Sequence, residues 1–170
     1  MKDRQNIILI GFMGAGKSTV GKRLATVLHW KFVDTDSIVE EIAGMTISNI
    51  FCRYGESRFR FEEYLAVKKV CTGKNCIIST GGGTVMNPEN FKLLKQSGLI
   101  IYLYASLEDV LQRVGSSDRP LLKRGPEEVL SLWQSRLDTY AQAHYIVDTT
   151  NKGVEEVVKE ILKLLREGVR

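Results

Sequence analysis

Short apolar runs alternate along the chain with longer stretches in which apolar positions recur every three or four residues. A short apolar run is typical of a strand buried on both faces, and the three-to-four spacing is typical of an amphipathic helix. Strands and helices in alternation predict an α/β fold built on a parallel sheet. The predicted strands cover residues 6–10, 31–34, 76–80, 99–104 and 144–148.

Polar residues and glycines mark where the intervening helices begin and end. Ser37 and Glu40 have the spacing of a capping box, which predicts a helix from this point to about Gly44. Further helices are predicted over 19–28, over 47–72 with an interruption at Gly55, and from the starts at 87–89 and 106–109.

Two amphipathic helices complete the chain, and a polar stretch at about 113–126 precedes the first of them. We interpret their apolar stripes as core packing. The polar stretch is either a solvated loop or a mobile lid that carries cations over bound phosphates and excludes water, and composition favours neither. The stripes are Leu130, Trp133, Leu137, Tyr140 and Ala141 on one helix, and Val154, Val157, Val158, Ile161 and Leu165 on the other.

Length and composition suit a single globular domain over 1–170. The chain has 170 residues, 44% hydrophobic and 26% charged, with a net charge of +4. This modest, dispersed surplus does not indicate a nucleic-acid surface, and it suits a protein that handles anionic small molecules. No apolar stretch is long enough to span a membrane, and the three cysteines have no metal spacing. We therefore expect reduced thiols and a cytoplasmic protein.

The segment Gly11 to Ser18 has the spacing G-x-x-x-x-G-K-S between a predicted strand and a predicted helix. Glycines let backbone N–H groups converge on phosphate oxygens, and the positive end of the helix adds to the attraction. The lysine of this motif reaches the β- and γ-phosphates, and the serine hydroxyl binds Mg²⁺. The sequence therefore predicts a nucleoside triphosphate site, with contacts from Gly14, Ala15, Gly16, Lys17, Ser18 and Thr19.

Two carboxylates and a glycine triplet follow the next two predicted strands. Asp34 and Asp36 lie at the carboxyl end of the second strand, where ligands bind in open α/β sheets. One would hold Mg²⁺ or its water and the other would accept a hydrogen bond from the attacking hydroxyl, unless one of them only caps the following helix. Gly81, Gly82 and Gly83 form either a substrate-binding backbone or a plain tight turn.

Two arginines have the reach to bind an anionic substrate, although each also has an ordinary interpretation. Arg60 is spaced for helical ion pairs with Glu56 and Glu63, which need no ligand. Arg136 lies one position from an apolar stripe, so it either extends past the stripe to solvent or presents its guanidinium to a carboxylate.

In their order along the chain these motifs resemble the shikimate kinase family from about residue 6 to about residue 150. The P-loop alone is shared by many unrelated proteins, and the combination gives the resemblance its specificity. The matching segments are the P-loop, Asp34-Thr-Asp36, Ile50-Phe51 with Gly55-Glu56 and Phe59-Arg60, the glycine triplet, Arg119-Pro120-Leu121-Leu122, and Arg136 with Tyr140.

The resemblance implies a P-loop NTPase-type three-layer α/β/α sandwich with a central five-stranded parallel sheet and a lid. It also implies transfer of the γ-phosphoryl group of MgATP to the 3-hydroxyl of shikimate, a step toward chorismate and the aromatic amino acids. Related alternatives are a gluconate kinase, a nucleoside monophosphate kinase and a non-catalytic nucleotide-binding module. We expect small-molecule substrates alone, no nucleic-acid or membrane partner, and a monomer.

The resemblance also implies a role for each matching residue. Lys17, Asp36 and Arg119 would be catalytic, with Asp36 as the candidate base and Arg119 as the lid arginine. Arg113 resembles the arginine that packs against adenine. Shikimate would be bound by Asp36, Arg60, Gly81, Gly82, Gly83 and Arg136, and Mg²⁺ by Ser18 and, through water, Asp34.

Overall fold

The computed structural model describes residues 6–114 and 125–167, and their elements follow the predicted alternation. Each strand ends within one residue of its predicted bounds. The strands are β1 (Asn6–Ile10), β2 (Lys31–Asp34), β3 (Cys76–Ser79), β4 (Gly98–Tyr104) and β5 (Tyr145–Asp148).

Seven helices lie between and after these strands in the described ranges, together with one 3₁₀ turn over Thr84–Met86. The predicted break in the long helix is present at Gly55, whose backbone is not helical. The helices are α1 (Lys17–Leu28), α2 (Thr35–Ala43), α3 (Ile47–Cys71), α4 (Pro88–Ser97), α5 (Leu107–Val114), α6 (Pro126–Tyr140) and α7 (Val154–Glu167).

The strands form one parallel sheet in the order β2-β3-β1-β4-β5, with helices on both faces. Every residue of the central strand β1 is buried, and α1 packs with α7 while α3 packs with α4. In the register of the sheet, both Leu9 and Asp34 lie opposite Ser79. The carboxyl ends of β1, β2 and β3 therefore meet at one edge, where ligands bind in such sheets.

The predicted capping box at Ser37 is wrong, because the N-cap of α2 lies three residues earlier. Asp34 is the N-cap, and its carboxylate accepts a hydrogen bond from the amide of Asp36 at 3.0 Å. A cap belongs where the backbone changes from extended to helical, and that change occurs at the last residue of β2. Gly44, with φ 66°, ends the helix as predicted.

The predicted stripe on α6 is wrong at Leu130, which is 37% exposed. Val129 is buried in its place, and Ala141 lies beyond the end of the helix and is exposed. The buried face is turned by about one residue from the predicted one, which brings an arginine inward. Its members are Val129, Trp133, Arg136 and Tyr140.

The predicted lid lies largely outside the described residues. Positions 113–114 end α5 and positions 125–126 lead into α6. Throughout the part of the chain that the structure describes, no helix is long and apolar enough to cross a bilayer.

Candidate active site

The P-loop connects the buried end of β1 to the first turn of α1. Gly16 is the helix N-cap in a left-handed conformation, with φ 86°, which favours glycine. Lys17 is buried, and its ammonium group donates to the carbonyl oxygens of Gly11 at 2.8 Å and Phe12 at 2.9 Å. A cation and the N–H groups of a helix N-terminus therefore share one loop, as an oligophosphate requires.

Oxygen donors from three elements meet beside this loop. The Ser18 hydroxyl donates to Asp34 Oδ2 at 2.8 Å and lies 3.2 Å from the hydroxyl of Ser79. Within the described ranges no three Asp, Glu, His or Cys side chains form a group that could hold a metal ion. The donor set fits Mg²⁺, which binds few protein oxygens and completes its shell with water and substrate phosphates.

Asp36 lies in the first turn of α2, not on the extended strand that ends at Asp34, and its carboxylate faces the glycine triplet. Its Oδ1 atom is buried, and a Cβ at Gly81 would lie 2.6 Å from it. The amide of Gly81 donates to the Thr35 hydroxyl at 3.0 Å. Any side chain at Gly81 would displace the Asp36 carboxylate, so only glycine at this position leaves space for it.

Arg60 is held by two carboxylates of its own helix. Glu63 accepts from Nη1 at 2.9 Å and Glu56 from Nη2 at 3.0 Å, with side chains 2% and 66% exposed. Burial lowers the pKa of Arg60, but the charges and hydrogen bonds of these carboxylates outweigh it and raise the pKa. The predicted ion pairs are present, and a Cβ at Gly83 would lie 3.1 Å from Nη1 of Arg60.

Arg136 is buried on the inner face of α6, with only 9% of the residue exposed. Its guanidinium lies over the Phe12 ring at 5.6 Å from the centroid. A Cβ at Gly83 would be 3.4 Å from Nη2 of Arg136. Arg60 and Arg136 therefore converge on Gly83, and within residues 6–114 and 125–167 Arg136 forms no ion pair.

Side chains whose contacts the sequence did not predict fix the glycine turn. Thr84 donates to the buried Glu63 at 2.8 Å, and the Tyr140 hydroxyl donates to the carbonyl of Gly82 at 2.5 Å. Ser79, by contrast, could have been identified from the sequence. Its hydroxyl lies at the carboxyl end of a buried strand, which is the same kind of position as that of Asp34.

A cavity of about 420 Å³ extends from the P-loop to the loop that follows β5. Arg113 lines it and donates to the carbonyl of Thr149 at 2.8 Å and to Asp109 at 2.8 Å. Asp109, only 7% exposed, also accepts from the amide of Asn151 at 3.0 Å. The cavity, a basic wall and the P-loop together are suited to a nucleotide. Arg119 lies outside the described residues.

This fold and site define a class of protein, namely an α/β nucleotide-binding protein in which two arginines and a carboxylate lie against a glycine turn. A family model for shikimate kinase matches residues 13–166. A shikimate kinase from Pelotomaculum thermopropionicum is 45% identical over 96% of this chain and 96% of that protein. One from Geobacter sulfurreducens is 46% identical, covering 97% and 93%.

The solved structures agree with the sequence comparisons. A shikimate kinase from Acinetobacter baumannii in complex with shikimate has a TM-score of 0.92 at 36% identity, covering 96% of this chain and 94% of that one. The shikimate kinase from Aquifex aeolicus has a TM-score of 0.84 at 37% identity, covering 96% and 98%. The chain belongs to the shikimate kinase family.

Membership of this family confirms the predicted fold class and the predicted reaction class. The five-stranded parallel sheet with helices on both faces is that of the related structures. The chain is an enzyme, a kinase that uses ATP, and shikimate rather than gluconate is the acceptor that its family names.

Proposed function

We propose that shikimate binds between Arg136 and Arg60 at one end and Asp36 at the other, with MgATP on the P-loop. The observation that carries this proposal is Arg136, a buried guanidinium that forms no ion pair with a described residue and lies beside a second arginine. Arg60 is already paired with Glu56 and Glu63, so Arg136 is the cation that needs an anion, and a guanidinium fork fits a carboxylate. The carboxylate of shikimate supplies that charge.

Asp36 would take the proton of the reacting hydroxyl. Gly81 leaves room for its carboxylate, and Gly82 and Gly83 would let the backbone approach the substrate closely. In phosphoryl transfer the transition state is loose, so Asp36 orients the hydroxyl and accepts its proton late. The 3-hydroxyl oxygen forms a bond to the γ-phosphorus, the bond to the β-phosphate oxygen breaks, and ADP leaves.

Ser18 would hold Mg²⁺ directly, while Asp34 and Ser79 would hold its water. When bound, Mg²⁺ would neutralise charge on the phosphate groups. Lys17 would exchange its two carbonyl partners for phosphate oxygens, Arg119 would close on the phosphates from the lid, and Arg113 would pack against adenine.

We further propose that the chain acts as a single domain and as a monomer in the cytoplasm, where ATP is available. The dispersed net charge of +4 supports small-molecule substrates over nucleic acid or a membrane surface.

A coupled assay of ADP release tests the function as a whole. We expect Mg²⁺-dependent ADP formation with shikimate, and only background with gluconate or without an acceptor. Turnover with gluconate, or equal ADP release without an acceptor, would contradict the proposal.

Arg136→Ala tests the carboxylate site within that assay. A hydrogen bond to a charged group contributes about 1.5–3 kcal/mol, so the KM for shikimate should rise on the order of 10- to 100-fold. The KM for ATP should change little, because the guanidinium faces the glycine turn. An unchanged KM for shikimate would remove Arg136 from the carboxylate site.

A further inference from the structure

The hydroxyl of Tyr140 joins two walls of the acceptor pocket. Tyr140 is the last residue of α6 and is only 1% exposed. Its hydroxyl donates to the carbonyl of Gly82, the middle glycine of the turn, at 2.5 Å. This bond connects α6 to the turn after β3 across 58 positions of sequence.

A column of aromatic side chains holds the Tyr140 ring in place. Tyr140 packs on Tyr102 of β4 with centroids 5.0 Å apart, and Tyr102 meets Tyr104 edge-on at 6.1 Å. Tyr104 in turn contacts Trp133 of α6 at 6.2 Å, and the Trp133 indole donates to the carbonyl of Ala105 at 3.3 Å. The helix α6 is therefore attached to β4 at both Trp133 and Tyr140.

Arg136 lies on α6 between these two attachment points. Trp133, Arg136 and Tyr140 are three and four residues apart and share the inner face of the helix. A Cβ at Gly82 would lie 3.3 Å from Nη1 of Arg136, so the guanidinium lies directly against the glycine whose carbonyl Tyr140 binds. The Tyr140 hydroxyl and the Arg136 guanidinium therefore contact the same glycine.

Burial raises the pKa of Tyr140, and the charge of Arg136 and its hydrogen bond to the hydroxyl only partly oppose this. The hydroxyl therefore keeps its proton at neutral pH and remains a donor to the Gly82 carbonyl.

We propose that Tyr140 is a positioning residue for the acceptor pocket, which sets shikimate affinity by holding the glycine turn against Arg136. The inference rests on the proposed function, since it assigns shikimate to this pocket. Without the hydroxyl, the Gly82 carbonyl loses its donor and the turn is free to move away from the guanidinium.

Tyr140→Phe tests this, because it removes one oxygen and keeps the ring stack. Tyr102→Phe is the matched control: it removes a hydroxyl from the same column that makes no hydrogen bond within the described ranges. We expect Tyr140→Phe to raise the KM for shikimate about 5- to 30-fold, with the KM for ATP within about twofold of wild type. Tyr102→Phe should leave both KM values within about twofold.

Two measurements separate positioning from stability. Thermal unfolding gives the midpoint of each variant, and shikimate titration without nucleotide, run on folded protein at low temperature, gives its affinity. A loss of shikimate affinity in the titration supports the proposal, even where the midpoint falls. A KM for shikimate within twofold of wild type, equal changes for both substrates, or equal effects of the two variants would each overturn it. Wild-type enzyme without shikimate-dependent ADP release would instead overturn the proposed function.

Discussion

At the scale of single residues, the two carboxylates that hold Arg60 differ in burial and should differ in effect. Glu63 is 2% exposed and also accepts from Thr84, whereas Glu56 is 66% exposed. Glu63→Gln weakens a buried charged anchor, so we expect the KM for shikimate to rise about 5- to 20-fold at saturating ATP. Glu56→Gln, the matched control, should change it less than about twofold, because exposed ion pairs contribute little. Equal effects of the two variants would show that the burial of each carboxylate does not determine its effect on the KM for shikimate.

Asp109 should hold Arg113 at the nucleotide cavity as Glu63 holds Arg60, since both carboxylates are buried. Its buried carboxylate binds both Arg113 and the amide of Asn151, so it holds the basic wall of the cavity against the loop after β5. Asp109→Asn keeps the size of the side chain but loses the charge. We expect the KM for ATP to rise roughly tenfold with the KM for shikimate unchanged, measured by varying each substrate in turn. A larger change for shikimate would contradict this assignment.

Residue-scale chemistry was predictable from sequence where partners lie within one element. The pairs of Arg60 with Glu56 and Glu63 follow from helical spacing and are present. The contact of Tyr140 with Gly82 was not predictable, since it joins residues 58 positions apart. Tertiary packing brings such groups together, and no local pattern encodes it.

At the scale of elements, the break in α3 depends on one glycine. Gly55 has φ 78° and ψ −177°, a conformation open essentially to glycine, with nothing within 4 Å of a Cβ added there. Gly55→Ala should therefore cost about 1–3 kcal/mol of unfolding free energy through backbone strain alone. It should also raise the KM for shikimate, because Arg60 follows the break by little more than one turn.

Gly153→Ala is the control for the measurement of unfolding free energy. A Cβ at Gly153 would be 4.0 Å from its nearest neighbour, and the position has no left-handed φ. Urea unfolding should show a change of less than about 0.5 kcal/mol for this variant. If Gly55→Ala loses no more unfolding free energy than Gly153→Ala, then α3 can continue as a helix through the break.

Element boundaries were predictable where punctuating residues are unambiguous. Asn87 caps α4 through a bond to the amide of Glu89 at 2.9 Å, as its sequence indicates. The start of α2 was misassigned because Asp34 and Ser37 are both good caps, and the end of β2 decides between them. The inward face of α6 was misassigned at Leu130 because a pattern of apolar residues does not predict a buried arginine, and Val129 and Arg136 lie on the buried face.

At the scale of the whole molecule, the sequence predicted a five-stranded parallel sheet but not its order. Alternating strands and helices dictate parallel pairing, because each crossover returns the chain to the same edge. The order β2-β3-β1-β4-β5 depends on which helices cover which face, and that is a property of the packed core. The convergence of the P-loop, Asp34 and the glycine triplet on one edge follows from parallel pairing, so the location of the site was predictable although its contacts were not.

The packing of Tyr102 in the core should also make the folded protein less stable at alkaline pH. Burial, with the charges of Tyr140 and Tyr104, raises the pKa of Tyr102 well above its usual value. A tyrosine with a raised native pKa binds its proton more tightly when folded. Its stabilising contribution is therefore complete below the unfolded pKa near 10 and is lost as pH rises from there toward the native value. Wild-type stability should fall above pH 10, by up to about 1.4 kcal/mol per pH unit for this group.

Urea unfolding of wild type and Tyr102→Phe at pH 8, 10 and 11 isolates this contribution. The salt bridge with Glu160 raises the pKa of Lys152, which also loses stabilising energy at high pH, but it does so equally in both proteins. The difference in unfolding free energy between them should be constant from pH 8 to about pH 10 and then move in favour of the variant, which has no hydroxyl to ionise at this position. A difference that stays constant to pH 11 would mean that Tyr102 ionises as easily in the core of the folded protein as in the unfolded chain.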